Sequence, residues 1–139
     1  MTNPAASSDL IQTYYAAFNR GDWPAMLVLL SDDIAHDINQ GGRDTGRATF
    51  AAFLERMERS YRERLEDIVL MVSADGRRVA AEYVVHGQYL ATDTGLPEAG
   101  GQRYVLPGGA FFDIRDGRIA RVTNYYNLQD WLTQIGDGK

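Results

Sequence analysis

The second half of the chain constrains the fold most, because it reads as four long β runs joined by two tight turns. Leu65 to Ser73 and Arg78 to Tyr89 flank Ala74-Asp75-Gly76, while Tyr104 to Arg115 and Arg118 to Leu128 flank Asp116-Gly117. An Asp-Gly pair between apolar runs supplies the left-handed backbone that a hairpin turn needs, so consecutive runs should pair antiparallel. Between the hairpins, the stretch from Ala91 to Gly101 carries Gly95, Pro97, Gly100 and Gly101 and reads as a long loop.

The first half is helical by pattern. Leu10, Tyr14, Ala17 and Phe18 recur at three- and four-residue spacing and predict a helix over 8–20 that Gly21 ends. Asp22 can cap a second short helix with Pro24 in its first turn and Met26, Leu27, Leu29 and Leu30 along it, stopping at Ser31-Asp32-Asp33. A short strand over 34–38, a glycine-rich loop over 40–46 and a third helix over 48–61 follow, the helix with an inner stripe of Phe50, Phe53, Leu54, Met57 and Tyr61. A last helical turn spans 130–135. The order α-α-β-α-β-β-β-β places the chain in the α+β class: a mainly antiparallel sheet that twists into a cone-shaped half-barrel around three helices of the N-terminal half. Gly108-Gly109 reads as a bulge or kink that bends a strand around the cone.

The 139 residues fit one domain, 1–139. There is no cysteine, no apolar run near the ~20 residues of a membrane span, and no signal-like N-terminus, so a cytoplasmic address and no membrane are expected. Acidic residues outnumber basic ones by 19 to 14, and the arginines between Arg56 and Arg64 alternate with Glu58 and Glu63. That stretch reads as a solvated helix face, and no nucleic acid partner is expected. The two histidines stand apart and neither Gly100-Gly101 nor Gly108-Gly109 opens a helix, so neither a metal nor another cofactor is expected. Eight tyrosines are the notable excess, and tyrosine suits a pocket wall or an interface.

The order of elements, with Tyr14-Tyr15-Ala16-Ala17-Phe18-Asn19-Arg20-Gly21-Asp22, Leu29-Leu30-Ser31-Asp32-Asp33 and Asp116-Gly117-Arg118-Ile119, resembles the nuclear transport factor 2-like superfamily. Within it the chain looks closest to the SnoaL-like and ketosteroid-isomerase-related branch. The resemblance covers nearly the whole chain and implies a cystatin-like α+β barrel with an apolar cone. In the isomerase branch a carboxylate base moves a proton next to a carbonyl, while a tyrosine and a neutral carboxylic acid hold the oxyanion. Carried over residue by residue, the tyrosine matches Tyr14, the oxyanion acid falls on Ala110, and the base falls on Ile38, with Asp37 one residue before it. Isomerisation of 3-oxosteroids is therefore not expected.

The resemblance also implies that Ala80, Glu82, Val84, His86 and Gln88 form the inward face of their strand. Glu82 and His86 would then sit about 13 Å apart on one face as titrating groups, unless Glu82 pairs with Arg103 or Arg121 at the surface. Of the adjacent pair His36-Asp37, one must face inward. Asp37 is the expected general base with His36 beside it at the rim, the alternative being that Asp37 caps the following turn. Tyr14, Asn124 and Tyr126 are expected donors or ligand contacts, and Tyr61 and Phe112 are expected pocket lining. Two functions remain open: a cofactor-independent acid–base enzyme, such as an isomerase or cyclase acting on a small apolar carbonyl or enol compound, and a non-catalytic binding or dimerisation module of the same shape. Tyr83, Val85 and Tyr125 are expected on the outer sheet face, where they would bury a homodimer interface.

Overall fold

The computed structural model describes residues 3–136. Helix α1 (Pro4–Asn19) starts where the Asn3 side chain accepts from the Ala6 amide, with proline in the first turn. Helix α2 (Trp23–Leu27) is capped by Asp22, which accepts from the Ala25 amide at 3.1 Å. Strand β1 (Leu30–Asp37) and a short β2 (Arg43–Thr45) precede α3 (Arg47–Ser60). Four long strands follow, β3 (Tyr61–Val72), β4 (Arg78–Tyr89), β5 (Gln102–Arg115) and β6 (Arg118–Tyr126), and then α4 (Leu128–Ile135). Among the described residues no helix is long and apolar enough to cross a membrane.

The strands form one curved, unclosed sheet in the order β2-β1-β6-β5-β4-β3, antiparallel except where β1 runs parallel to β6. The α+β cone expected from the sequence is the fold observed. Several boundaries differ, three of them near the cavity. Strand β2 lies inside the expected glycine loop, because Gly41 and Gly42 take φ of 106° and 94° and let the chain turn back onto β1. Leu30 joins β1 instead of ending α2, since it pairs with Ile119 and is fully buried. Strand β3 starts at Tyr61, which pairs with Tyr89, so Arg62, Glu63 and Arg64 belong to a strand and not to a helix face.

Curvature is introduced by register shifts in β3 between Glu66 and Val69, where Asp67 has φ of 55°, and in β5 between Asp113 and Ile114. Gly108 and Gly109 are not a bulge; they keep regular register with Tyr83 and Glu82. Their use is space. A Cβ on Gly108 would lie 2.7 Å from the Tyr83 ring, so the missing side chain leaves room for that ring against β5. Strand parity follows from packing: Val79, Ala81, Tyr83, Val85 and Tyr89 of β4 are buried. Tyr83 and Val85 are thus inward, contrary to the outer-face expectation, because their side carries no charge and packs toward the helices. The convex face instead exposes Val69, Met71, Phe111 and Tyr125.

Gly108→Ala is expected to cost about 1–3 kcal/mol by overpacking against Tyr83, read as a lowered urea midpoint with an unchanged slope. A midpoint equal to the parent's would mean that the ring yields freely.

Candidate active site

The concave face, the helices and the loop after β4 line a partly open cavity of about 240 Å³. Its wall is mostly aromatic and aliphatic, from Tyr14 and Tyr15 on α1 and Phe50 and Phe53 on α3 to Val85, Leu106 and Trp131. Rings interlock edge to face, as with Trp131 against Tyr89 at 5.4 Å and against Tyr104 at 5.9 Å. Tyr14 is buried, and burial raises its phenol pKa, so it stays a neutral donor across the working range of a protein.

One polar group on this wall is a carboxyl. Glu63 lines the cavity, and the Tyr104 hydroxyl donates a hydrogen bond to its Oε2. The two residues sit two strands apart. Register explains how they meet: Glu63 pairs with Gly87, and Gly87 pairs with Tyr104, so the three form a row across β3, β4 and β5. A Cβ on Gly87 would lie 2.2 Å from the Tyr104 ring. With hydrogen there instead, the ring crosses β4 and reaches the carboxyl. Burial pushes the Glu63 carboxyl above the usual glutamate range, and the Tyr104 hydrogen bond offsets part of that rise. Burial and the same carboxyl raise Tyr104, so the proton stays on the phenol.

His36 stands at the opposite edge of the sheet. Ile34, His36 and Ile38 alternate inward along β1 and its end, so the imidazole is 3% exposed and packs between Phe50 and Phe53, with ring centroids at 5.1 and 4.5 Å. Burial lowers its pKa and keeps it neutral, against the pull of Asp44 and Asp37. Its Nε2 lies 3.5 Å from Asn124 Nδ2, and among the described residues its buried Nδ1 has no hydrogen-bond partner. Asn124 and Tyr126 both line the cavity from β6, and the Tyr126 hydroxyl accepts from Gln40 Nε2 at 3.1 Å. Tyr61 lines it as well and donates to Asp93 Oδ2 at 2.8 Å, tying down the loop whose Asp93 and Leu96 close one side.

Other expected site residues lie elsewhere. Asp37 faces away from the cavity, because His36 takes the inward position. Its Oδ1 accepts from Arg43 Nε at 2.6 Å and its Oδ2 from Thr123 at 2.7 Å, which hold its carboxyl down to about 2. Such a group is a weak base, and the turn-capping alternative is likewise replaced by these partners. Ile38, on which the ungapped match places the family base, does line the cavity and is apolar. Glu82 is exposed on the convex face opposite Val69 and Gly109. His86 is on the same face, 3.6 Å from Glu66, while Arg121 pairs with Asp113. Both depart from the parity that the resemblance implies, because the uncharged alternate face of β4 is the one that packs inward. Phe112 is fully buried against Tyr14 and Tyr15 and belongs to the core behind the cavity. Ala110, at the family's oxyanion-acid position, is likewise fully buried. Among the described residues no three His, Asp or Glu side chains gather as a metal-binding group.

The model of the SnoaL-like domain matches residues 11–122. The chain belongs to the SnoaL-like family. A provisionally assigned polyketide cyclase of Xanthomonas campestris pv. campestris is 64% identical to this SnoaL-like chain, with TM-score 0.92 over 96% of this chain and 98% of that one. A second, from Pseudomonas putida, is also 64% identical, with TM-score 0.93 over 98% and 99%. A protein of Burkholderia xenovorans described as nuclear transport factor 2-like is 17% identical and shares the fold, with TM-score 0.75 over 96% and 98%. No curated protein matches the chain.

Sequence reading missed Glu63, Tyr104 and Gly87. A signal was present: once β3 begins at Tyr61, the alternate residues Tyr61, Glu63 and Leu65 share a face, and Arg62 and Arg64 the other.

Because the folded-state pKa of Asp37 is depressed, its contribution to stability is full above the unfolded value near 4 and is lost as pH falls toward about 2. Asp37→Asn should cost about 1–3 kcal/mol at neutral pH, flatten that acid limb in thermal melts, and leave ligand binding in the cavity unchanged. Loss of binding without loss of stability would return Asp37 to the site.

Proposed function

We propose that this SnoaL-like chain is a cofactor-independent acid–base enzyme that moves a proton next to a carbonyl in a small apolar compound, in a cyclisation or isomerisation. The observation that carries the reading is Glu63: a carboxyl on an apolar cavity wall, raised in pKa and oriented by one phenol. A raised carboxylate is a stronger base than a solvated one. It takes a proton from the α-carbon, leaving an enolate whose oxygen is stabilised by neutral donors, with Tyr14 and Asn124 the candidates. In cyclisation the enolate carbon attacks a second carbonyl of the same molecule, and the resulting alkoxide recovers the proton from Glu63. In isomerisation the proton returns to another carbon. The two relatives at 64% identity carry the polyketide cyclase description, which supports the first outcome.

A second reading, a binding module without chemistry, is favoured by the apolar residues Ile38 and Ala110 at the family's base and acid positions. The readings separate in one assay, loss of α-deuterium from 2-tetralone in the presence of the protein. The catalytic reading expects exchange above buffer, reduced about 10²–10⁴-fold by Glu63→Gln. Its rate should fall as pH drops through a pKa above the ordinary value of about 4.3. Tyr104→Phe removes a bond to the ionised form, so the acid limb should move to higher pH. Gly87→Ala, which displaces the same ring, should move it in the same direction. Exchange at the buffer rate, or equal rates for parent and Glu63→Gln, leaves the binding reading.

We also propose pairing of two copies through the convex face, now resting on Val69, Met71, Phe111 and Tyr125. Met71 and Phe111 both pair with Ala80, and the Phe111 and Tyr125 rings are 5.8 Å apart, so the patch is continuous. Light scattering at micromolar concentration should give twice the chain mass, and a monomer rejects it. A cytoplasmic address belongs to the same proposals and is supported by the cysteine-free composition.

A further inference from the structure

We infer that the convex sheet face meets a second copy of this chain in one register: strands antiparallel across the contact, a two-fold axis over Val84, and Glu82 of each protomer on His86 of its partner. The inference rests on the proposed pairing through this face, and it goes further in naming the polar contact that sets the register.

Strand pairing lays the face out in rows. Met71, Ala80 and Phe111 form one row, and Val69, Glu82, Gly109 and Tyr125 the next. Glu66, Val84 and Pro107 follow, then Arg64, His86 and Val105, and last Arg62, Gln88 and Arg103. Val69, Met71, Val105, Phe111 and Tyr125 are all exposed, so an apolar band crosses these rows with the exposed Glu82 inside it. Its direct neighbours on β3 and β5 are Val69 and Gly109, and the residues diagonal to it on those strands include no cation. Covering the band without a partner for Glu82 would leave a carboxylate stranded in an apolar contact, which is costly.

Symmetry then limits the choices, because a two-fold axis makes every contact reciprocal. With the axis along the strands, each row meets itself, and Glu82 finds only its uncharged row neighbours or another Glu82. With the axis across the strands, rows exchange about the one beneath it. An axis over Glu82 sets two carboxylates together, and one midway to Val84 sends Glu82 onto that valine. An axis over His86 sends Glu82 past Tyr89, where β4 ends. Only the axis over Val84 brings Glu82 onto His86, and it does so twice. The Nε2 of that imidazole lies 3.6 Å from Glu66, so Nδ1 is the nitrogen that can donate to the incoming carboxylate.

The same axis makes the rest of the band complementary. Val105 comes onto Gly109, where the missing side chain leaves space, and Arg103 comes onto the Phe111 ring as a cation–π pair. Arg62 and Arg64 come onto Met71 and Val69, which their apolar stems cover. Sheet twist turns the outer rows away from this ideal and the rows beside the axis least.

The chain has no cysteine, so introduced thiols report the contact directly. Full-length Val84→Cys, Glu82→Cys, His86→Cys and the Glu82→Cys/His86→Cys double variant are treated with bis-maleimidoethane at micromolar concentration and run on a denaturing gel. Positions 82 and 86 are about 13 Å apart along one strand, beyond the reach of this linker, so a bridge between them must join two chains. Val84→Cys and the double variant should run mainly as covalent dimers, and the two single variants at 82 and 86 as monomers. Cysteine-free Glu82→Lys sets two cations together and should raise the concentration at which the dimer dissociates about tenfold or more. Cross-linking of Glu82→Cys alone overturns the register, as does a parent-like dissociation of Glu82→Lys. If the parent is a dimer by light scattering and neither Val84→Cys nor the double variant is trapped, the register fails by itself. A monomeric parent removes the pairing on which it rests.

Discussion

The close approach of aromatic rings to bare backbone is the constraint on which this cone depends. A strongly curved sheet crowds its concave side, and two tyrosines there have space only because the neighbouring strand offers glycine. Tyr83 lies over Gly108, and Tyr104 lies over Gly87. The first contact fills the floor of the cone beside Tyr15, whose ring meets Tyr83 edge-on at 5.8 Å. The second does more, because the ring that crosses Gly87 ends in a hydroxyl, and that hydroxyl fixes the carboxyl of Glu63. Packing and chemistry here share one cause: a hydrogen atom where any other residue has a side chain.

That arrangement puts a carboxyl on the cavity wall at a place other than those the resemblance implied. The position matched to the family base is Ile38, the one matched to the oxyanion acid is Ala110, and only Tyr14 keeps the expected side chain. A carboxyl reaches the same cavity from β3. Burial raises its pKa, and a single phenol, which is itself too weak an acid to lose its proton, keeps it from rising further. On the far wall, burial acts on His36 in the opposite direction and holds it neutral. Desolvation therefore favours the uncharged form of both groups: it raises the carboxyl's pKa toward the working range, which suits proton transfer, and lowers that of the imidazole away from it.

Much of the fold is legible in the sequence. Asp116-Gly117 and Asp75-Gly76 mark the hairpins, and the run from Arg78 to Tyr89 has the bounds of β4. Asn124 and Tyr126 fall on one face of β6 by alternation and do share the cavity wall. The failures have a common form. Side-chain direction in a strand reverses with a one-residue change of phase, and the resemblance implies one phase for β4 while the uncharged face of Val79, Ala81, Tyr83 and Val85 points to the other. Asp37 fails for the same reason, since Ile34 shares its face with His36 and not with Asp37. Glu63 is hidden by the arginines around it, which are on the opposite side of the strand.

By itself, the sequence determined the class of fold, the order of its elements, the tight turns and the apolar character of the enclosed space, because these follow from local backbone preference and periodicity. Only the tertiary structure decided which ionisable groups enter that space. Glu63, Gly87 and Tyr104 are 41 positions apart from first to last and become neighbours through strand register alone. Register is set by the packing of whole strands against the helices, a long-range sum that no short stretch of sequence contains.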